Sequence, residues 1–477
     1  MATPGPATPV TEIARRIRAG EVTSRGVLES CISRVEQVNP ALNAVVAFRY
    51  EEARREADAA DRRLAEEGPD DLPPLHGVPC TIKECFALRG MPNSSGLRSR
   101  ENIIALRDAT AVARLRAAGA VPMGVTNTSE LCMWMESNNK LYGRTNNPYD
   151  LRRTVGGSSG GEGAIVGAGA SPFGLGSDIG GSIRMPAFFN GIFGHKATGG
   201  LVPGTGQHPM AENEARRYLS TGPLCRRAED LMPLLRILAG PDGSDGGCEP
   251  MELGDPSEVR LDGLRVLDVS PGGAVTPDLL AAQRRAAAAL AERGASVERV
   301  RFDGLGRSLE IWSAMLGVAG DTPYQTLLEN GLPLKLRREL PLALARRSDF
   351  TTPSLMLCLI ERFNALMTGR NREMAALGKA LREEIEVALG EEGVLLYAPH
   401  ARPAPLHREA ILKPLGWVFT AVFNVLELPI TQVPLGLNAA GLPLGVQVGA
   451  RRGQDHRTIA VAQALEQACG GWVQPPV

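Results

Sequence analysis

Apolar and polar residues follow two different spacings along this chain, and each spacing predicts a type of element. Between residues 11 and 37 the apolar positions recur every three or four residues, as on one face of a helix. Gly20 divides this stretch into two predicted helices, and Asn39-Pro40 is expected to end the second one. Amphipathic or alanine-rich runs predict further helices at 51–66, 108–118, 162–170, 225–239 and 277–293.

Short β-branched runs between these helices predict strands. They lie at 77–85, 121–125, 173–179, 264–269 and 296–302, and further apolar strand candidates lie between 414 and 448. Strands that alternate with helices on this scale predict an α/β protein with a sheet covered by helices on both faces.

The segment 240–256 is dense in Gly, Pro and Asp, which is typical of a surface linker. Such a segment divides two domains in many proteins, but strands are predicted on both sides of it and can join one sheet. A single domain over 1–477 is therefore favoured.

The composition of the chain mainly excludes classes of function. Of 477 residues 22% are charged and the net charge is −1, which gives nucleic-acid binding no support. The eight cysteines form no CxxC pair and the six histidines no HExxH motif, so neither a metal nor a cofactor is expected. Scattered thiols, together with no apolar run of 18 residues and no basic and apolar leader, favour a cytoplasmic protein.

The segment 156–200 carries the strongest chemical signal. It contains 15 glycines in 45 residues, against 54 in the whole chain of 477. Ser158 and Ser182 lie in this segment, each beside paired glycines. Backbone of this kind comes close to small groups and can aim its N–H groups at developing negative charge. The pattern indicates chemistry at a serine hydroxyl.

A serine nucleophile needs a base, and no histidine of this chain stands in a recognisable motif with either serine. Lys83 is the candidate, because it ends the apolar run Val78–Ile82, where water could be partly excluded. The alternatives are a solvated lysine at a strand end and a flexible glycine–serine loop. A phosphate cradle is disfavoured because GxxxxGK[ST] and GxGxxG are both absent. The GxSxG match at Gly157–Gly161 lacks the buried strand that a nucleophile elbow requires.

A set of motifs in fixed order then points to one family. The motifs are Gly77-Val78-Pro79 with Lys83, Thr126-Asn127 with Glu130, Gly143 with Asn147-Pro148, GGSSGG at 156–161 and SDIGGSIRMPA at 177–187. On these motifs the chain resembles the amidase signature family over essentially its whole length. Within the family, the segments 126–150, 185–196 and 221–231 are most similar to the fatty-acid amide hydrolases of the second animal type.

The resemblance implies a three-layer α/β/α fold with a large twisted mixed sheet. It implies a catalytic core at 76–230 and a cap over an acyl channel at 321–367. The leucines and cations of the cap region also fit an amphipathic surface that either packs on the domain or touches a membrane.

The resemblance also assigns roles to residues. Ser182 would be the nucleophile, Ser158 a bridging serine joined to Gly157 by a cis peptide bond, and Lys83 the base. The oxyanion hole would consist of the N–H groups of Ile179, Gly180, Gly181 and Ser182. Substrate would contact Cys132, Met133 and Ser158, while Gly157, Ser159, Ser177, Asp178 and Arg184 would support the site.

Three functions remain open. The first is hydrolysis of fatty-acid amides and N-acylethanolamines through an acyl-Ser182 intermediate, and the second is a broad acylamidase and esterase activity with the same triad. The third is an A-type subunit of an amidotransferase. Because Lys83 must be uncharged to accept a proton, activity is expected to rise towards alkaline pH. The expected partner is a lipid amide; peripheral membrane contact and a homodimer are left open, as is a membrane-spanning helix preceding this sequence.

Overall fold

The computed structural model describes residues 4–320, 322–329, 331–332, 334–364 and 368–477. The predicted cap at 321–367 is therefore covered in part, since residues 321, 330, 333 and 365–367 lie outside the described residues. Within the described residues, eleven strands form one sheet and two short strands pair separately.

The strands occupy thirteen segments of the described chain. They are β1 Val45–Phe48, β2 Pro79–Lys83, β3 Val121–Thr126, β4 Asn138–Asn139, β5 Gly143–Arg144, β6 Phe173–Asp178, β7 Phe193–Lys196, β8 Ser220–Cys225, β9 Arg265–Val269, β10 Ser296–Val300, β11 Val394–Tyr397, β12 Ile430–Leu437 and β13 Pro443–Ala450.

The described α-helices connect and cover these strands. They are α1 Val10–Arg18, α2 Ser24–Leu42, α3 Tyr50–Glu67, α4 Thr110–Ala117, α5 Gly160–Gly167, α6 Arg184–Phe189, α7 Ala215–Tyr218, α8 Leu231–Leu238, α9 Pro277–Ala291, α10 Ser308–Val318, α11 Tyr324–Leu328, α12 Leu336–Leu344, α13 Thr352–Asn364, α14 Thr368–Leu389, α15 Glu409–Leu412, α16 Val418–Val425 and α17 Asp455–Cys469. Among the helices described, none has both the length and the apolar character that crossing a membrane requires.

Two sequence predictions about the elements are wrong. The first concerns 418–425, which lies among the strand candidates but forms the buried helix α16, because periodicity alone does not distinguish a short apolar strand from a buried helix.

The second concerns the end of α2. Asn39-Pro40 does not end the second helix, because α2 continues through Pro40 to Leu42. Proline removes only its own N–H from the ladder, and here it lies in the last turn of the helix. The turn is closed by Asn43 in the left-handed region with φ 52°, whose N–H donates to the Asn39 carbonyl at 2.7 Å. The Asn39 side chain then accepts the amide of Ala44 at 2.8 Å.

The order of strands in the large sheet is β1-β3-β2-β6-β8-β7-β12-β13-β11-β9-β10. The sheet is mixed, because β2 runs parallel to β3 and β6 whereas β6 and β8 are antiparallel. Parallel strands end at the same edge, so the last residues of β2 and β6, Lys83 and Asp178, come to one edge of the sheet.

Helices cover both faces, which confirms the three-layer α/β/α prediction. Adjacent residues of β9 show the two faces: Val266 packs into a cluster with α9 and α17, and Leu267 packs into another with α10, α14 and α16. Successive side chains of a strand point to opposite faces, so the strand requires apolar cover on each side.

The glycine- and proline-rich segment 240–256 runs between α8 and β9. Strands from before and after this segment pair directly in the sheet, as β7 does with β12.

Candidate active site

Lys83 is fully buried at the end of β2. Its Nζ donates to Ser158 Oγ at 2.7 Å and to Ser177 Oγ at 2.9 Å. The lysine is therefore not the solvated strand end that sequence reasoning had left open. It joins the loop before α5 to the end of β6, two segments of the predicted site.

Ser158 lies on a loop whose shape only glycine permits. The Gly157–Ser158 peptide bond is cis, as the resemblance implies. A Cβ at Gly157 would come within 2.3 Å of the Trp134 carbonyl oxygen, so any larger residue would push the loop away. Ser137 fixes the same loop, because its Oγ donates to the Ser158 carbonyl at 3.0 Å and accepts the N–H of Gly160 at 2.9 Å.

Ser182 lies two residues before α6 and is 8% exposed. Its carbonyl oxygen accepts the N–H of Ser159 at 3.1 Å, which ties the two serine loops together. Both Ser158 and Ser182 face the same cavity. In this structure no hydrogen bond among the described residues joins the hydroxyls of Ser158 and Ser182.

The loop before Ser182 carries the four amides of the predicted oxyanion hole, and they are not equivalent. The N–H of Gly181 donates to Asp178 Oδ1 at 2.7 Å and is occupied by the protein itself. The amides of Ile179, Gly180 and Ser182 donate to no acceptor among the residues that the structure describes.

Asp178 and Arg184 form an ion pair at 2.9 Å in which both side chains are fully buried. Burial alone would raise the pKa of Asp178, but the Arg184 guanidinium and the amide hydrogen bonds hold that pKa below its usual range. Arg184 also donates to the Thr420 carbonyl at 2.8 Å and to Asn424 Oδ1 at 2.6 Å. The pair therefore fastens the loop before α6 to α16, which lies near the far end of the chain.

A cavity of about 470 Å³ opens from the two serines. Cys132 and Met133, predicted to contact substrate, lie in its wall together with Ser158. The rest of the wall is mainly apolar and includes Leu219, Leu316, Leu327, Leu357 and Ile360. The volume suits a small organic ligand, and the apolar wall suits its hydrocarbon part.

Sequence reasoning missed Glu162, a fully buried acid on α5. Its carboxylate accepts from Thr81 Oγ1 at 2.6 Å and from Thr126 Oγ1 at 2.8 Å. Burial raises the pKa of Glu162 to about 8. A weak signal existed, because a glutamate inside the glycine-rich block is unusual, but nothing in the sequence links position 162 to 81 and 126.

A second group of residues looks like a hydroxyl–histidine–carboxylate triad. His195 contacts Thr431 Oγ1 at 2.9 Å through Nδ1 and Asp455 Oδ1 at 3.0 Å through Nε2. All three side chains are fully buried, so no substrate could reach them. The group instead anchors the start of α17 to the sheet. Elsewhere among the described residues, no three His, Cys, Asp or Glu side chains are grouped to hold a metal ion.

Comparison with known proteins identifies the family of this chain. A family model described as Amidase matches residues 26–459. Fatty-acid amide hydrolase 2 of Homo sapiens is 45% identical over 97% of this chain and 89% of its own length. An acylamidase of Rhodococcus erythropolis is 33% identical over 96% of this chain and 94% of its own length.

Among solved structures, 6-aminohexanoate cyclic dimer hydrolase complexed with substrate superimposes with a TM-score of 0.79. It is 27% identical, and the match covers 99% of both chains. The resemblance seen in the sequence motifs is thereby confirmed, and the chain belongs to the amidase signature family.

Proposed function

We propose that this protein is a serine amidohydrolase that cleaves fatty-acid amides and N-acylethanolamines to a fatty acid and an amine or ammonia. The observation that carries the proposal is the buried Lys83 Nζ at 2.7 Å from Ser158 Oγ, beside Ser182 at the end of an apolar cavity. The 45% identity to an enzyme named fatty-acid amide hydrolase 2 supports the lipid substrate and a role in lipid metabolism.

The proposed reaction has two steps. Ser182 Oγ attacks the amide carbonyl while its proton passes through the Ser158 hydroxyl to uncharged Lys83. The proton returns along this path to the leaving amine, and water later hydrolyses the acyl-Ser182 ester. This relay requires the Ser182 hydroxyl to come within hydrogen-bonding reach of Ser158 in the substrate complex.

The negative charge that develops on the carbonyl oxygen needs donors. The amides of Ile179, Gly180 and Ser182 are proposed for this role, since they have no acceptor among the described residues. The Gly181 N–H is instead proposed to hold the loop in place, because it donates to Asp178 Oδ1. Loss of one such donor typically costs about 10²–10³-fold in rate.

The cap region supports a lipid substrate in a second way. Tyr324, Leu327, Leu357 and Ile360 belong to 321–367 and all line the cavity. The exposed face of the same region carries Leu344, which is 89% exposed, among exposed cations. We therefore propose peripheral contact of this face with an anionic membrane. The eight cysteines are all free, which is consistent with the proposed cytoplasmic location.

The chain-length dependence of kcat/KM tests the substrate. For primary amides of about 2, 8 and 16 acyl carbons, kcat/KM should rise about tenfold or more across the series, because each buried methylene adds binding energy. The Ser182→Ala and Lys83→Ala variants should each have a kcat/KM about 10³-fold or more below that of wild type. Mass spectrometry of the stalled reaction should place the acyl group on Ser182.

The alternative with a specific observation behind it is a broad acylamidase, given the 33% identity to a protein of that name. A flat chain-length profile would favour that function over the lipid one. Activity that appears only with added partner subunits would favour an amidotransferase subunit.

A further inference from the structure

Two successive carbonyl groups of the oxyanion loop are held from outside the loop. The indole Nε1 of Trp312, on α10, donates to the Ile179 carbonyl at 2.7 Å. The Oγ1 of Thr420, on α16, lies 2.8 Å from the Gly180 carbonyl oxygen and 2.7 Å from the Trp417 carbonyl oxygen, so its one proton is shared between these two acceptors. Both donors come from the second half of the chain, and neither belongs to the motifs that identified the site.

Each anchored carbonyl determines the direction of an N–H group. A trans peptide is planar, so its C=O and its N–H point in opposite directions. The peptide held by Trp312 carries the N–H of Gly180, which donates to no acceptor among the described residues. The peptide held by Thr420 carries the N–H of Gly181, which donates to Asp178 at 2.7 Å. One peptide is thus satisfied at both ends, and the other is held at its carbonyl alone.

The loop has almost no space in which to rotate these peptides. A Cβ at Gly181 would lie 2.1 Å from Thr420 Oγ1, and Gly181 has a φ of +116°. A Cβ at Gly180 would touch the rings of both Trp417 and Trp312, at 3.4 and 3.5 Å. The two rings meet edge to face, with centroids 4.9 Å apart. The aromatic pair therefore covers the loop while one of its members also holds it.

Besides its hydrogen bond to the loop, Trp312 lines the cavity together with Ile179 and Ser182. Trp417 does not line the cavity, and its indole makes no hydrogen bond with any described residue. The two tryptophans thus share the packing role, whereas only Trp312 has both the hydrogen bond and the contact with the cavity.

We propose that Trp312, with Thr420 beside it, is a positioning residue of the oxyanion loop: its indole N–H holds the Ile179 carbonyl so that the Gly180 N–H keeps its direction towards the substrate carbonyl oxygen. The inference rests on the proposed amide hydrolysis. It goes beyond that reaction by assigning the loop geometry to a side chain 133 positions away in sequence.

Trp312→Phe tests the proposal, because it removes the indole N–H and keeps an aromatic ring. For a two-carbon and a sixteen-carbon acyl amide alike, kcat should fall about tenfold to a hundredfold, with KM changed less than about threefold. Affinity for a trifluoromethyl ketone, which forms a tetrahedral adduct, should fall by the same factor as kcat/KM. Affinity for the fatty-acid product should stay unchanged.

Trp417→Phe is the matched control, since it alters the other ring of the same pair and removes no hydrogen bond to the loop. Its kcat should remain within about threefold of wild type. Thr420→Val is a second variant for the case in which Trp312→Phe fails to fold. It removes the other carbonyl donor at nearly constant volume and should also lower kcat at constant KM.

A role of Trp312 as cavity wall alone predicts a different pattern. In that case Trp312→Phe would raise KM for the sixteen-carbon amide and leave the two-carbon amide unaffected, and this result would overturn the proposal. Equal kcat losses in the Trp312 and Trp417 variants would also overturn it. If wild type cleaves only short amides, the lipid substrate is wrong, but the short amide still decides whether Trp312 positions the loop.

Discussion

At the scale of single residues, Glu162 shows how the site accommodates a buried acid. Its Oε2 would come within 1.8 Å of a Cβ at residue 174, so Gly174 on β6 provides the space for the carboxyl group. Two threonine hydroxyls donate to it, yet burial outweighs them and the attraction of Lys83, and raises the pKa of Glu162 to about 8. The acid is thus mostly protonated in the folded protein at neutral pH, whereas in the unfolded chain it is ionised.

This difference predicts a pH dependence of stability. Between about pH 4.5 and pH 8 the folded state binds the proton and the unfolded state does not, so this group lowers the free energy of unfolding as pH rises. The glutamine side chain in the Glu162→Gln variant cannot ionise. The free energy of unfolding of the variant minus that of wild type should therefore be larger at pH 8 than at pH 5. The change in this difference should be on the order of 3 kcal/mol.

Denaturant unfolding of both proteins at the two pH values measures the effect. Taking the difference cancels every other titrating group that the two proteins share. A stability difference that is the same at pH 5 and pH 8 would show that Glu162 ionises alike in both states.

At the scale of elements, the cap region divides into a face that packs and a face that is exposed. Leu334 and Leu336 are buried, in a cluster with Tyr324 and Phe350. Leu344, at the end of α12, is 89% exposed. In the sequence the leucines of this region form one amphipathic set, but in the fold Leu334 and Leu336 are buried and Leu344 is exposed.

The exposed side predicts a specific effect of Leu344→Glu. Wild type should sediment with vesicles that contain an anionic lipid, and the variant should bind several-fold less, because it replaces apolar contact with like-charge repulsion. Turnover of a short, soluble amide should stay the same.

Val387→Glu is the control for that experiment. Val387 is 80% exposed near the end of α14, about 24 Å along this helix from Asn371 at the cavity wall. The Val387→Glu variant should bind vesicles as wild type does. Equal binding by all three proteins would argue against contact of the cap with membranes.

At the scale of the whole molecule, the two halves of the sequence meet in the middle of one sheet. β7 pairs with β12, and Arg184 donates to Gln447 Oε1 on β13 at 2.9 Å. The segment 240–256 lies between these halves, and its Glu249 pairs with Arg217 of the first half and with Arg452 of the second.

This arrangement predicts that the connection can be cut without separating the halves. A protease site inserted after Glu252, an exposed residue, should allow cleavage into two fragments that co-elute at the size of the intact chain. The same cleaved sample in denaturant should give two separate peaks. Separation without denaturant would argue for two independent domains.

The sequence alone determined those features that depend on neighbours in the chain. The spacing of apolar residues located β3, β6, β9 and α9 to within a few positions, and glycine density marked the loops of Ser158 and Ser182, because both are local properties. It missed the continuation of α2 through Pro40, where an Asn43 cap outweighed the usual effect of proline.

Only the tertiary structure decided what surrounds these residues. The neighbours of Lys83 in the chain left open both a buried base and a solvated lysine, and its environment is set by Ser158 and Ser177, which are 75 and 94 positions away. For the same reason, Glu162 carried only a weak signal in the sequence and Trp312 carried none. Burial, hydrogen-bond partners and pKa depend on atoms brought together by folding, and a linear pattern does not record which distant segments share that space.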